Sequence, residues 1–307
     1  MTKAVTEKKI MQIEDIILKY SNRGMDRLRP YLEADFCLKA AKKIVELQKC
    51  AVQKCAVQKK LKVILTTGFY VKGFAETDGP LGTYVVGRVL ERTGSEPVIV
   101  TDRYCRGFFK STGWDVYYMP LKDDIDDQNC VGIVDADLKT SAYMLFLEKI
   151  NPMAMIAIER CGENIHGDYA NMRGISIREN TAPVDKLFEA AVQKHIFTIG
   201  IGDGGNEIGM GNVQKVISEK LSLVPCRICT DQLIIATVSN WGAYGLAASL
   251  QKYHQSDKIM PSWEEVRAFL EYIVNVGCVD GVLGEARCSV DGFDPVIEQE
   301  IYQRCVH

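Results

Sequence analysis

Long apolar runs are missing from this 307-residue chain. None approaches the roughly 20 residues a membrane-crossing helix needs. The opening Met1-Thr2-Lys3-Ala4 lacks the apolar core of a signal peptide, so neither a membrane partner nor secretion by that route is expected. Basic charge is not in excess either: 37 Lys and Arg against 40 Asp and Glu leave a formal charge of −3. A nucleic-acid or membrane-surface partner would favour a basic face, so no nucleic acid is expected, and a small, even anionic, substrate stays open. Histidine is scarce, with His166, His195, His254 and His307 far apart. Cys226 and Cys229 have C-x-x-C spacing, but no second pair lies at zinc-ribbon distance, and a structural zinc is not expected. The eleven cysteines are scattered through a long chain and several sit in apolar segments, which reads as reduced thiols in an intracellular compartment.

What is present is the composition of a globular protein, 47% apolar and 25% charged, able to bury a sizeable core. Residues 1–60 read as a helical lead-in packed on the main unit: Ile10, Ile13, Ile16 and Ile17 recur at helical spacing, and Asp35 to Gln58 has no breaker. Within it Cys50-Ala51-Val52-Gln53-Lys54 repeats at once as residues 55–59. Five is not a helical period, so the repeat marks a tolerant surface segment. From Lys62 the pattern becomes short β-branched runs ending in Gly, Asp, Glu or Pro. These predict strands at Val63–Thr67, Val98–Thr101, Val116–Met119, Gly132–Val134, Met155–Ile158 and Phe197–Ile201. Their continuous apolarity implies burial on both faces, and their alternation with helices implies an α/β fold. The expected architecture is a doubly wound, mostly parallel sheet over residues 61–307, forming one domain with the lead-in. Helices are predicted over Asp231 to Tyr253 and Ser262 to Val276, the second with a Ser262/Glu265 capping box and an end at Gly277.

In such sheets ligands collect beyond the carboxyl ends of the strands, and four of those ends are rich in glycine and polar groups. The first is Thr66-Thr67-Gly68, followed by Glu76-Thr77-Asp78-Gly79-Pro80-Leu81-Gly82-Thr83. Here a carboxylate pair enters a turn whose helical N–H groups could hold an anion, or which Asp78 or Thr77 simply caps. The second, Ile158-Glu159-Arg160-Cys161-Gly162, leaves a buried strand directly into charge. Adjacent strand residues point to opposite faces, which disfavours a Glu159–Arg160 pair and leaves Glu159 as a candidate acid. The polar loop after it holds Asn164, His166 and Asp168, where a lone histidine reads as structural.

The third end, Gly200 to Gly211, holds six glycines in twelve positions together with Asp203, Asn206 and Glu207. It formally satisfies G-x-G-x-x-G, but Gly200 falls inside the strand, no acid follows about 20 residues on, and no Walker lysine is present. The glycines imply close approach to a ligand or backbone at positive φ, or a turn that needs them for shape alone. The fourth end, Val238-Ser239-Asn240-Trp241-Gly242, offers Ser239 and Asn240 to a polar ligand with Trp241 as a cover or as plain core.

Together these motifs closely resemble the C-terminal domain of the D-glutamate cyclases of animals, over about Leu61 to Asp291. The Gly-Asp-Gly-Gly-Asn-Glu run in company with the Asp-Gly-Pro-Leu-Gly turn carries the resemblance. It implies a hydro-lyase of the mitochondrial matrix that converts D-glutamate to 5-oxo-D-proline and water. In the animal enzymes this domain follows an N-terminal partner domain, so the chain is expected to be a fragment or a shortened form.

Ring closure needs a base for the ammonium, donors for the carboxylate and oxyanion, and an acid for the departing oxygen. Asp203 and Glu207 are the candidate ammonium partners and bases, and Asp78 or Glu159 the acid. Thr66, Thr67, Gly68, Gly79, Gly82, Thr83, Gly204, Gly205, Asn206, Ser239 and Asn240 are the expected substrate contacts. The chemistry demands no organic cofactor, and a divalent cation, Mg²⁺ or Ca²⁺, held by some of these carboxylates would suit it. The competing readings are a phosphate or nucleotide enzyme and a non-catalytic small-molecule sensor using the same glycine-rich pocket.

Overall fold

A computed structural model describes residues 12–54, 60–121, 139–221 and 223–307. The lead-in folds as α1 (Ile13–Ile17), α2 (Met25–Leu28) and the long α3 (Phe36–Lys54). It is not a separate layer. Ile17, Met25, Leu28, Phe36 and Ala40 are buried in the same apolar cluster as the sheet.

Strand β1 (Leu61–Thr66) follows, then a small antiparallel hairpin of β2 (Tyr70–Val71) and β3 (Phe74–Ala75), α4 (Pro80–Arg92), β4 (Ser95–Thr101) and β5 (Asp115–Tyr118). The chain continues through α5 (Lys139–Ile150), β6 (Ala154–Ile158), α6 (Asp185–Gln193), β7 (Phe197–Gly202), α7 (Gln214–Leu221) and β8 (Gln232–Ile235). It ends in α8 (Ser239–His254), α9 (Trp263–Val276) and α10 (Pro295–Val306).

Six strands form one sheet in the order β5-β4-β1-β6-β7-β8, every neighbouring pair parallel. Helices α3 and α4 both pack on α8, and α5 packs on α6. This is a doubly wound α/β fold. β6 is buried along its whole length and β1 over its last four residues, as continuous Val, Ile and Leu require when both faces are covered. The edge strand β5 is the exception and is only partly covered.

The strand predicted at Gly132–Val134 lies outside the described residues, as does the second copy of the five-residue repeat. One expectation fails. Asp231 to Tyr253 is not a single helix: Gln232–Ile235 is the edge strand β8, paired with β7, and the helix begins only at Ser239. A run as short as Leu233-Ile234-Ile235 has no period of its own, and its β-branched burial against the sheet decides. Asp231 helps fix the strand, accepting hydrogen bonds from Thr198 N and Oγ1 at 2.8 and 2.9 Å. In α9 the capping box forms with Ser262 Oγ accepting from Glu265 N, and Gly277 ends the helix at φ +121°.

Candidate active site

The strand order reverses between β1 and β6, and the crevice beyond their carboxyl ends is where doubly wound sheets bind ligands. At the end of β1 the hydroxyls of Thr66 and Thr67 are buried with no hydrogen-bond partner among the described residues. Gly68, at φ +105°, turns its carbonyl to accept from Arg160 Nη1 at 2.7 Å. Arg160 is fully buried, and its carboxylate partner is Asp102 at the end of β4, 2.6 Å away. Glu159 is thereby left to the other side, at φ +47°.

The turn before α4 and the start of α8 cap each other. Asp78 accepts from Gly79 N (2.9 Å), Ser239 N (2.9 Å) and Asn240 N (2.7 Å), so it caps α8. Asn240 Oδ1 accepts from Gly79 N (2.9 Å) and Gly82 N (2.7 Å), so it caps α4, while its amide donates to Thr77 O (3.1 Å). Two positive helix ends are thus aimed at one spot and a carboxylate fills it. The N–H groups of Gly79 and Gly82, offered by the sequence to substrate, are engaged inside the protein. Thr83 N bonds to Gly79 O, and its hydroxyl is a further buried group without a partner among the described residues. Gly79 must be glycine: at φ +93°, any Cβ would press on Thr67 Oγ1 and come 2.9 Å from Ile158 O.

The glycine turn after β7 is built largely for close packing. A Cβ on Gly200 would lie 2.7 Å from Gly209 Cα and against the Ile208 carbonyl, so strand and turn meet backbone to backbone. Gly205 (φ +97°) and Gly209 (φ +106°) supply left-handed bends. Glu207 folds back over its own turn: Oε1 accepts from Gly204 N at 2.7 Å and Oε2 from Gly205 N at 2.8 Å. Asn206 donates to Ala170 O at 2.8 Å, tying the turn to the loop after β6. In that loop Asn164 Oδ1 accepts from His166 N (2.9 Å) and Asp168 N (3.1 Å), a contact that shapes the loop itself, and His166 is exposed.

Out of this frame Asp78, Glu159 and Asp203 converge, each with a carboxylate oxygen within 4.8 Å of the others and each buried. Ser239 Oγ donates to Glu159 Oε2 at 2.6 Å. The structure adds three groups. Glu76 stands two residues before Asp78, Asp291 comes from the loop before α10, and Arg23 comes from the lead-in. Arg23 Nη1 donates to Asp203 Oδ2 at 2.6 Å and lies 2.8 Å from Asp291 Oδ2. The sequence offers no signal for Arg23, which sits in no motif. For Asp291 the signal is only the Asp-Gly turn it opens, and at φ +51° it occupies backbone space that Asn and Asp tolerate best.

The electrostatics follow from crowding acids where water is absent. Burial pushes the carboxyls of Glu76, Asp78 and Glu159 well above the carboxylate range. Asp291 adds to the shift at Glu76 and Asp78, and Asp203 at Glu159. The amides of Asn240 and Ser239 pull Asp78 back down. Burial likewise raises Asp203 and Asp291 to about 8 each, against the pull of Arg23. Two acceptors in the cluster, Asp203 Oδ1 and Asp291 Oδ2, are buried with no donor in hydrogen-bond geometry. The second has Arg23 as an ion-pair neighbour only.

The three converging carboxylates are hard oxygen ligands at a spacing a divalent cation could bridge. Asp203 Oδ2 and both Asp78 oxygens already accept hydrogen bonds, so an ion would compete with Arg23 and with the caps.

A buried carboxylate cluster thus lies at the switch point of a doubly wound α/β sheet. Comparison with known proteins then places the protein: the profile of the family described as "D-glutamate cyclase-like, C-terminal" matches residues 13–305, and the chain belongs to that family. Human D-glutamate cyclase, mitochondrial, is 29% identical over 265 residues, covering 79% of this chain and 38% of the human protein. The chain therefore spans well under half the length of that relative. Among solved structures, Acinetobacter baumannii MurG shares 9% identity at a TM-score of 0.32, covering 58% of this chain and 46% of MurG. A glycosyltransferase from Rickettsia africae ESF-5 shares 13% at 0.28, covering 58% and 42%. Likenesses that low carry no argument.

Proposed function

We propose that the protein is a lyase that closes D-glutamate into 5-oxo-D-proline with loss of water. The observation that carries this is a buried acceptor, Asp203 Oδ1, that faces no donor, beside Asp291 Oδ2, which has Arg23 as an ion-pair neighbour but no hydrogen bond. Such groups cost about 1–3 kcal/mol each when left unmade, and an ammonium group supplies the donors they lack. Family membership and the human relative's name support the choice of substrate.

The proton balance suits a cluster of carboxyls. The α-ammonium carries three protons and the lactam nitrogen keeps one, while the departing γ-carboxylate oxygen needs two to leave as water. No net proton enters or leaves, so the protein has only to move two protons from nitrogen to oxygen. Asp203, raised to about 8, takes the first to free the amine for attack on the γ-carbon, passes it on within the cluster to Glu159, and takes the second as the C–N bond forms. Glu159, raised by burial and bonded to Ser239 Oγ, delivers to the departing oxygen. Thr67 Oγ1, buried and unpartnered, is a donor for the developing oxyanion. Glu207, with both oxygens on turn amides, holds Asp203 in place rather than meeting the ammonium. Asp78 caps α8 and so holds Ser239, at the start of that helix, beside the reacting groups. A Mg²⁺ or Ca²⁺ ion on Asp78, Glu159 and Asp203 would polarise the γ-carboxyl when bound.

By the same family link the setting is the mitochondrial matrix, with an N-terminal partner domain beyond the matched region. Chiral chromatography of incubations with D-glutamate, L-glutamate and 5-oxo-D-proline tests the reaction. Interconversion of the D pair is expected. Binding of either compound without turnover would make the protein a sensor, and stabilisation by a nucleotide instead would sink the reading.

A further inference from the structure

Arg23 reaches the cluster on a strap that the rest of the protein holds in place. The strap begins where Ile17 O accepts from Thr237 N at 2.9 Å. Tyr20, at φ +62°, packs edge-on against Trp241 with ring centroids 6.5 Å apart, and Lys19 bonds to Glu300 at 2.7 Å. Residues 18–24 thus cross the carboxyl edge of the sheet, and Arg23 enters from it with 16% of its side chain exposed, against 1% for Asp203. Arg23 is the most exposed side chain of the cluster.

The charge inventory is one-sided. Glu76, Asp78, Glu159, Asp203 and Asp291 gather there, and among the described residues Arg23 is the cation whose charge bears on all five. The proposed substrate brings two more carboxylates. An α-carboxylate buried among these acids without a cation would be left uncompensated.

Asp203 resolves this by having two ends. Its Oδ2 holds Arg23, while its Oδ1 is buried and has no donor. An ammonium on Oδ1 puts the substrate's α-carboxylate, attached to the same carbon, beside the guanidinium on Oδ2. From this, and resting on the D-glutamate reading above, we infer that Arg23 is the substrate-binding residue that takes the α-carboxylate. With Asp203 it reads the amino-acid end of the ligand. Because the γ-carboxyl must then lie toward Glu159 and Ser239, three fixed points select one configuration at the α-carbon.

D-isoglutamine, which keeps the chain and replaces the α-carboxylate with a neutral carboxamide, is the probe. Calorimetric affinities for D-glutamate and D-isoglutamine are measured on the wild-type protein, Arg23→Met and Arg23→Lys, with KM and kcat for D-glutamate and a melting curve for each. The wild type is expected to prefer D-glutamate by on the order of 10²-fold, the worth of a charge-assisted Arg–carboxylate contact. Arg23→Met should lose that preference, D-glutamate affinity falling far more than D-isoglutamine affinity, while kcat falls as well because Arg23 also holds down the Asp203 carboxyl. Arg23→Lys, which keeps the charge without the planar fork, should retain about a tenth of it, and that variant decides the matter if Arg23→Met fails to fold. Turnover by the wild type combined with an undiminished preference in the folded variants would overturn this inference alone. Wild-type protein that neither binds nor converts D-glutamate would instead overturn the reading beneath it.

Discussion

Glu298 gives the structure a pH dependence that can be worked out in advance. It lies on α10, 1% exposed, and accepts from Trp241 Nε1 at 2.6 Å and Tyr244 Oη at 2.7 Å, both on α8. Burial pushes its carboxyl from 4.5 to about 7, more than these two donors pull it down. Below about pH 4.5 the group is protonated in both the folded and the unfolded chain and contributes no slope. Between there and 7 the unfolded chain sheds the proton and the folded chain keeps it, so stability falls as pH rises through that window. At 1.36 kcal/mol per unit the whole fall is about 3 kcal/mol, of which roughly 2 to 3 should appear between pH 5 and 8. Glu298→Gln removes the titration and keeps an acceptor for Trp241 and a donor for Tyr244. Urea unfolding of both proteins at pH 5, 6, 7 and 8 measures the difference, in which the carboxyls common to both largely cancel. The variant should gain on the wild type steadily as pH rises. Parallel curves, or a gap that closes with pH, would refute the reasoning.

Gly200→Ala should lower stability by about 1–3 kcal/mol or more, because the added Cβ meets backbone of the facing turn; an unchanged melting temperature would show that strand and turn do not pack as described. Cys161→Ser should leave turnover per folded molecule intact, since burial holds that thiol up and away from the thiolate form; lost activity with the fold intact would contradict this. Millimolar Mg²⁺ or Ca²⁺ should raise the melting temperature of the wild type and not of Asp203→Asn, and no shift in either protein would remove the cation from the account.

What the sequence revealed tracks what is local. Val63 to Thr66 and Met155 to Ile158 read as strands because their burial on both faces is written as unbroken apolarity, and the capping box at Ser262 is a spacing of three. Leu233-Ile234-Ile235 misled because a three-residue apolar run carries no period and the helix behind it does. At the site, Asp78, Glu159 and Asp203 were legible as acids at strand ends, and the fold brings them together. Their division of labour was not. That Asp78 caps a helix 161 positions away depends on α4 and α8 meeting. That Glu207 spends both oxygens on its own turn depends on the bend at Gly205. Arg23 and Asp291 lie near opposite ends of the chain, and only the tertiary fold makes them neighbours.

The central claim is that Asp203 moves the substrate's proton, and Asp203→Asn tests it with shape kept and charge removed. D-glutamate turnover and a melting curve are measured on the variant and the parent in one series. The rate should fall by roughly 10² to 10⁴, the usual worth of a general base, while the melting temperature changes little. Near-parental turnover in the folded variant would contradict the account.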